Sequence, residues 1–350
     1  MTQVFVFYAP SVHTGGGFVL LRALLAAWPV ALPLVAFLDA RAREQLVLPH
    51  GANVSWVTAN VGSRLKAEFS LYKAAAGAGT VLCFHGLPPL LPSAARVVVF
   101  LQNRLYLERG PLPQFKWKTR FRLAFERFVS RVFRHRVSEY IVQTPAMQRA
   151  VMQWYSAPAP SHAPMVKVMP FVDAMPEPAQ YTNSSPVWDF VYIADGGAHK
   201  NHRVLLAAWR LLAQEGLRPT LALTLGPGDD MLRREVKTAS EGLDLQIHNL
   251  GQIPHEEVLG LYSKAHAMIF PSISESFGLP LMEAAHAGLP ILASELDYVR
   301  DVCTPAHTFD PSSPVSVARA VKRFLGRPEP VMALRTPGEF WRELLRESGQ

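Results

Sequence analysis

The chain is poor in cysteine: Cys83 and Cys303 are the two it has in 350 residues. Two thiols so far apart in sequence make neither a disulfide framework nor a cysteine-based metal motif, which leaves a reducing, cytoplasmic setting as the expectation. Long hydrophobic runs are missing as well. The nearest, Phe18 to Leu38, is broken by Arg22, Pro29 and Pro33 and reads as a helix followed by a strand rather than as a membrane span. No basic stretch precedes the first apolar run, Val4 to Tyr8, which has the length of a strand and not of a signal-peptide core. Acidic residues are scarce in one half only. Residues 1–170 carry 19 Lys and Arg against 6 Asp and Glu, and the remainder carries 16 against 22. The N-terminal half is therefore the one expected to meet an anionic partner.

What the sequence does have is alternation. Short apolar runs at Val4 to Tyr8, Leu34 to Leu38, Val54 to Thr58, Thr80 to Phe84 and Arg96 to Leu101 read as buried strands. Helical stretches near Phe18 to Trp28, Ala40 to Leu48 and Ser63 to Ala76 lie between them, the pattern of an α/β, doubly wound parallel sheet. Gly15, Gly16 and Gly17 separate the first strand from the first helix, where missing side chains let a ligand approach the backbone; a plain flexible turn is the alternative. Strand ends carry His85 and the pair Gln102-Asn103. In such a sheet the carboxyl ends face the ligand crevice, so His85, Gln102 and Asn103 are candidates to touch an acceptor hydroxyl, although a lone His after a strand is often structural.

Lys116 to Arg136 departs from this pattern. Trp117, Phe121, Phe125, Phe128 and Val132 fall at helical spacing, basic residues fill most of the remaining surface, and Glu126 is the one acid. Such a helix suits an anionic membrane surface; the alternative is a solvated outer helix whose apolar stripe packs on the sheet. A basic excess concentrated in one amphipathic helix favours lipid over nucleic acid.

Strands at Glu139 to Gln143 and Met165 to Val168 close a first domain, residues 1–172. Residues 173–186 are polar and proline-spaced and read as a linker. A second strand and helix alternation fills 187–320, with strands near Trp188 to Ala194, Leu221 to Leu225 and Leu245 to Leu250. The tail, 321–350, is helical in character, and Glu339 to Leu345 is expected to dock as a last helix.

The chemistry concentrates in Ala265 to Ser294, a strand, loop, helix, strand unit. Pro280 fits a first helical turn, Gly288 a stop, and the helix N-terminus favours an anion such as a phosphate-linked sugar. Glu275 in the loop and Glu283 one turn into the helix frame that position. A carboxylate beside a phosphate is unfavourable unless it accepts from neutral hydroxyls, so at least one of them suits a sugar. The bland alternative is two helix-start acids stabilised by the macrodipole. Lys200, in a glycine-rich loop after the strand at Trp188, is placed to neutralise a diphosphate, although surface exposure is the commoner fate of a lysine.

Two sheet-type halves, with Glu275 and Glu283 inside Glu-Ser-Phe-Gly-Leu-Pro-Leu-Met-Glu-Ala, closely resemble the retaining glycosyltransferases of the GT-B fold, particularly the large bacterial family 4 of glycan, lipopolysaccharide and exopolysaccharide synthesis. Gly288-Leu289-Pro290, Lys200-Asn201, Leu250-Gly251 and the N-terminal glycines extend the resemblance over most of the chain. It implies two Rossmann-like domains facing across a cleft. Glu283 would bind the ribose, and Glu275 the donor sugar. The N–H groups around Ser276, Phe277, Gly278 and Leu279 would face the diphosphate or sugar. Lys200 would stabilise the leaving diphosphate, residues near Ile253 would meet the base, and Gly16 and Gly17 would approach from the other domain. The implied reaction moves a sugar from a nucleotide diphosphate to a hydroxyl of a lipid-linked glycan, with retention, in a cytoplasmic protein held at the inner face of the membrane. Same-fold epimerases and phosphorylases are the rival, and a non-catalytic protein binding anionic lipid or nucleic acid is a more distant one. Two departures stand out. Asp195 occupies the place of an Arg that the family often carries, and Gln102-Asn103 the place of a strand-end His. With no Asp-x-Asp motif, neither an obligatory metal nor any other cofactor is expected.

Overall fold

The inner strands of the first sheet, such as Val4–Ala9, Leu34–Asp39 and Arg96–Phe100, are largely apolar on both faces, which commits them to a position between two layers of helix. In this computed structural model, which describes residues 4–29, 32–108, 117–156, 164–172 and 186–329, that is the arrangement found. The N-terminal elements are β1 (Val4–Ala9), α1 (Gly15–Ala26), β2 (Leu34–Asp39), β3 (Asn53–Val57), α2 (Val61–Ala75), β4 (Ala78–Cys83), β5 (Arg96–Phe100), α3 (Trp117–Phe133), β6 (Glu139–Val142), α4 (Pro145–Tyr155) and β7 (Met165–Val168). The strands pair in parallel in the order β3-β2-β1-β4-β5-β6-β7. Alternate residues of β1 divide between two cores. Phe7 and Ala9 join Leu20, Leu21 and Leu25 of α1 on one side. Val6 and Tyr8 join Leu71 of α2, Leu123 of α3 and Met147 of α4 on the other.

The second sheet is built from β8 (Trp188–Tyr192), α5 (His202–Gln214), β9 (Leu221–Leu223), α6 (Asp230–Leu243), β10 (Ile247–Asn249), α7 (His255–Tyr262), β11 (Ala265–Phe270), α8 (Leu279–His286), β12 (Ile291–Ser294), α9 (Asp297–Arg300), β13 (His307–Phe309) and α10 (Pro314–Phe324). Its strands are parallel, in the order β10-β9-β8-β11-β12-β13, around a core that includes Trp209, Tyr262 and Phe270. The α/β, two-sheet architecture expected from the sequence is present.

Several local expectations change. The stretch at 40–48 is a 3-10 turn over Ala40–Gln45, because the buried Asp39 carboxylate accepts from the Arg41 amide and pairs with its guanidinium, closing a tight turn. Gly15, Gly16 and Gly17 form the first turn of α1 rather than a loop before it. α4, α9 and β13 were not foreseen, and α10 crosses residue 320 to pack on α5. In α3 the inward residues are Leu123, Val129 and Ser130, so the stripe of Trp117, Phe121, Phe125, Phe128 and Val132 faces solvent instead of packing on the sheet. The segment 173–186, apart from Pro186, and the helix expected at Glu339 to Leu345 lie outside the described residues. Among the described residues no helix is long and apolar enough to cross a membrane.

The two halves meet through α4, whose first turn points at the second sheet. The Ala146 amide donates to Asp301 Oδ2 at 2.6 Å, and Arg149 pairs with Asp297 at 3.2 Å. Thr144, the N-cap of α4, accepts from the Met147 amide and donates to the Ser276 carbonyl at 3.3 Å. The carboxyl ends of β1 and β11 thereby face one another.

Candidate active site between the two sheets

The chain leaves β8 through Asp195-Gly196-Gly197 and turns over Ala198–Lys200 before entering α5. Asn201 makes the corner in a left-handed conformation, φ 62°, and its amide donates to the carbonyls of Pro271 and Pro311 at 3.1 and 2.7 Å. The Tyr192 hydroxyl donates to the Lys200 carbonyl at 2.7 Å. These bonds lash the Lys200 turn to the loop after β11. There the Lys200 ammonium donates to Glu275 Oε1 at 2.7 Å, with both side chains largely buried. The Ser272 hydroxyl sits 2.7 Å from the same oxygen, and the Tyr298 hydroxyl donates to the Ser272 carbonyl at 2.7 Å. Asp195 stays at the surface and accepts from the Gly197 amide at 2.9 Å, holding the turn. It does not supply the positive charge an Arg would.

Beyond Glu275 the chain passes Ser276 and the buried Phe277 and turns at Gly278, whose φ of 78° favours glycine. α8 then begins, with Pro280 in its first turn and first-turn amides lacking intrahelical acceptors. Glu283 lies one turn in, on the buried side. The Tyr262 hydroxyl donates to its Oε2 at 3.1 Å, and His255 Nδ1 stands 3.7 Å from Oε1. Burial lifts the Glu283 carboxyl above its usual value, while His255 and Tyr262 act in the opposite sense. Two residues before His255, Ile253 lines a pocket of about 390 Å³ with Leu225, Arg233, Gln252 and Pro254.

Gly16 and Gly17 close the site from the other sheet. A Cβ on Gly16 would lie 3.0 Å from Leu279 Cδ1, and one on Gly17 would lie 2.9 Å from Gln102 Oε1, so absent side chains are what let α1 approach. Gln102 is held under this turn by donating to the Phe84 carbonyl at 2.8 Å. Asn103 caps a short 3-10 turn, accepting from the Leu105 amide at 3.0 Å. His85 stacks edge-on against Tyr8, with ring centroids 5.1 Å apart. Burial pushes its pKa down to about 4, and its Nδ1 has no hydrogen-bond partner.

The structure thus gathers Lys200, Glu275, Ser276, Phe277, Gly278, Leu279, Glu283, Gly16 and Gly17 along one seam, with Ile253 at its end. Gln102 joins that seam through Gly17, whereas Asn103 is committed to its cap and His85 to the Tyr8 ring. Sequence reasoning missed Ser272, Thr144, His255 and Tyr262. The Thr144-Pro145 cap signature was readable; the others depend on contacts between elements. Among the described residues no group of three or more His, Cys, Asp or Glu side chains is placed to hold a metal ion.

Residues 177–338 match the family model described as glycosyl transferases group 1. The O-antigen chain mannosyltransferase B of Escherichia coli is 36% identical over 116 residues, 32% of this chain and 30% of that protein. The 2-deoxystreptamine glucosyltransferase of Streptomyces kanamyceticus is 30% identical over 145 residues, 41% of this chain and 37% of that protein. The matches thus span well under half of either curated relative. Over nearly the whole fold, sucrose-phosphate synthase from Thermosynechococcus elongatus superposes with a TM-score of 0.66 at 19% identity, covering 93% of this chain and 90% of that one. Anabaena Alr3699/HepE, solved in complex with UDP and glucose, superposes with a TM-score of 0.63 at 16% identity, covering 92% and 90%. The architecture is the GT-B fold.

Proposed function

We propose, from the match of residues 177–338 to the model of glycosyl transferases group 1, that the chain is a retaining glycosyltransferase. It moves a sugar from a nucleotide diphosphate to a hydroxyl of a lipid-linked glycan. The observation that carries this reading is the Lys200–Glu275 pair at 2.7 Å beside the start of α8. A cation and an acceptor carboxylate side by side at a helix N-terminus suit a ligand that is anionic at one end and hydroxyl-rich at the other.

In this account residues 187–320 hold the donor and residues 1–172 the acceptor. The base enters the pocket at Ile253, and Glu283 accepts from the ribose hydroxyls. The diphosphate draws Lys200 away from Glu275, which then accepts from the sugar hydroxyls, and the amides around Phe277, Gly278 and Leu279 complete the cradle. The acceptor hydroxyl attacks from the side of Gly16 and Gly17, near Gln102, on the face the diphosphate leaves. Lys200 and the helix N-terminus stabilise the charge that develops on the departing phosphate, so the transfer is metal-independent. The exposed aromatic and basic surface of α3 supports attachment to the inner face of the membrane, and not to nucleic acid. Saturation-transfer NMR with UDP and GDP tests the reading: contact from one of them, lost in Glu283→Ala, is expected, and contact from neither would count against it.

A further inference from the structure

α3 is not alone in turning apolar side chains outward. On α2, Val61, Leu65, Phe69 and Tyr72 are exposed, Val61 at 75% and Phe69 at 59%. Their i, i+4, i+8, i+11 spacing is that of Trp117, Phe121, Phe125 and Phe128 on α3, where Trp117 is 73% exposed. Neither stripe fills the core. Ala67, Leu71 and Ala75 do that for α2, and Leu123 for α3, in one cluster on one side of the sheet. Both helices therefore cover the same face of the sheet, through Leu71 of α2 and Leu123 of α3. Both return the chain between parallel strands, so both run against the strands and begin at the edge that faces the cleft.

The charges on this face have one sign. Arg64, Lys66 and Lys73 of α2 and Lys118, Arg120, Arg122 and Arg131 of α3 are exposed. The acid of α2, Glu68, turns inward, accepting from the Tyr8 hydroxyl at 2.7 Å and the Leu90 amide at 2.9 Å. Glu126 of α3 is likewise not exposed. A second copy of the chain placed symmetrically on this face would bring like charges together. Anionic headgroups over an apolar layer complement both features.

We propose that α2 and α3 form a single membrane-docking face, in which Val61, Leu65, Phe69 and Tyr72 enter the headgroup layer of an anionic bilayer beside the α3 aromatics. This rests on the membrane attachment proposed above and adds a second anchor to it. Two rigidly coupled stripes bind more tightly than one and define a plane, which sets the cleft edge of the N-terminal domain toward the lipid.

The test is flotation with vesicles of phosphatidylglycerol and phosphatidylethanolamine, comparing the wild type with Leu65→Ser/Phe69→Ser on α2 and Phe121→Ser/Phe125→Ser on α3. Circular dichroism checks that each variant folds, which exposed positions should permit. Each double variant is expected to lose about tenfold in vesicle affinity. If the α3 variant loses binding and the α2 variant does not, attachment through α3 stands and the two-helix face is overturned. If the wild type does not float, the membrane reading and this inference fail together. A wild type that is dimeric where the α2 variant is monomeric would show a second copy on this face and would also overturn it.

Discussion

Lys200 and Glu275 stand 75 residues apart in the chain, on loops after different strands, yet Lys200 Nζ lies 2.7 Å from Glu275 Oε1. In the proposed mechanism each group serves a different part of the donor, and they neutralise one another until it arrives. Lys200→Ala and Glu275→Gln are each expected to lower kcat by about 10²–10³. The double variant should lose less than the product of the two, with a coupling of about 1–3 kcal/mol. Steady-state kinetics on the four proteins measures this, and strict additivity would show that the pair does not act as a unit.

Glu283 makes donor binding pH-dependent. Burial raises its carboxyl above the ordinary 4.5 despite His255 and Tyr262. Ribose hydroxyls donate best to the ionised form, so affinity should increase as pH climbs through the raised pKa, with a proton released on binding. Calorimetry in two buffers of different ionisation enthalpy reads that proton directly. Glu283→Gln should flatten the profile and weaken binding about tenfold or more; an unchanged profile would remove Glu283 from the ribose.

His202 predicts acid sensitivity. Its ring is buried against Tyr192, with centroids 4.8 Å apart and both nitrogens without partners, and burial pushes its pKa from 6.5 down to about 3. The unfolded chain therefore binds the extra proton between those values, and stability falls as pH drops through that window. From pH 6.5 to pH 5 the loss attributable to this group is about 2 kcal/mol. Urea unfolding at the two pH values should find His202→Phe less acid-sensitive by that amount.

Gly16 sets how closely the halves approach. Gly16→Val would press on Leu279, already 3.0 Å from a Cβ at that position. A fall of about tenfold in kcat/KM is expected, with a melting temperature within about 2 °C of wild type. Unimpaired turnover would separate the α1 turn from catalysis.

Metal dependence is checked by adding EDTA. Because Lys200 and the α8 N-terminus are proposed to carry the phosphate charge, turnover should survive chelation. Loss restored by a divalent cation would contradict that part of the mechanism.

Apart from β13, the strands of both sheets were legible in the sequence, because a strand buried on two faces reads as an apolar run, as Ala267 to Phe270 does. Glu275, Glu283 and Lys200 were legible because turn glycines and prolines fix them near strand and helix ends. Periodicity gave the aromatic stripe of α3 but not its direction, since Leu123 and Val129 suffice to cover the sheet. The support of Glu283 by Tyr262 and His255 was not legible either. It arises from packing α7 beside α8, which no local pattern encodes.

Sugar transfer from a nucleotide donor can be measured by incubating the protein with a panel of nucleotide sugars and following release of the nucleoside diphosphate. Release is expected from at least one donor, without added metal, and reduced by about 10² or more in Glu275→Gln. Release from none, or equal release by wild type and Glu275→Gln, would contradict that transfer.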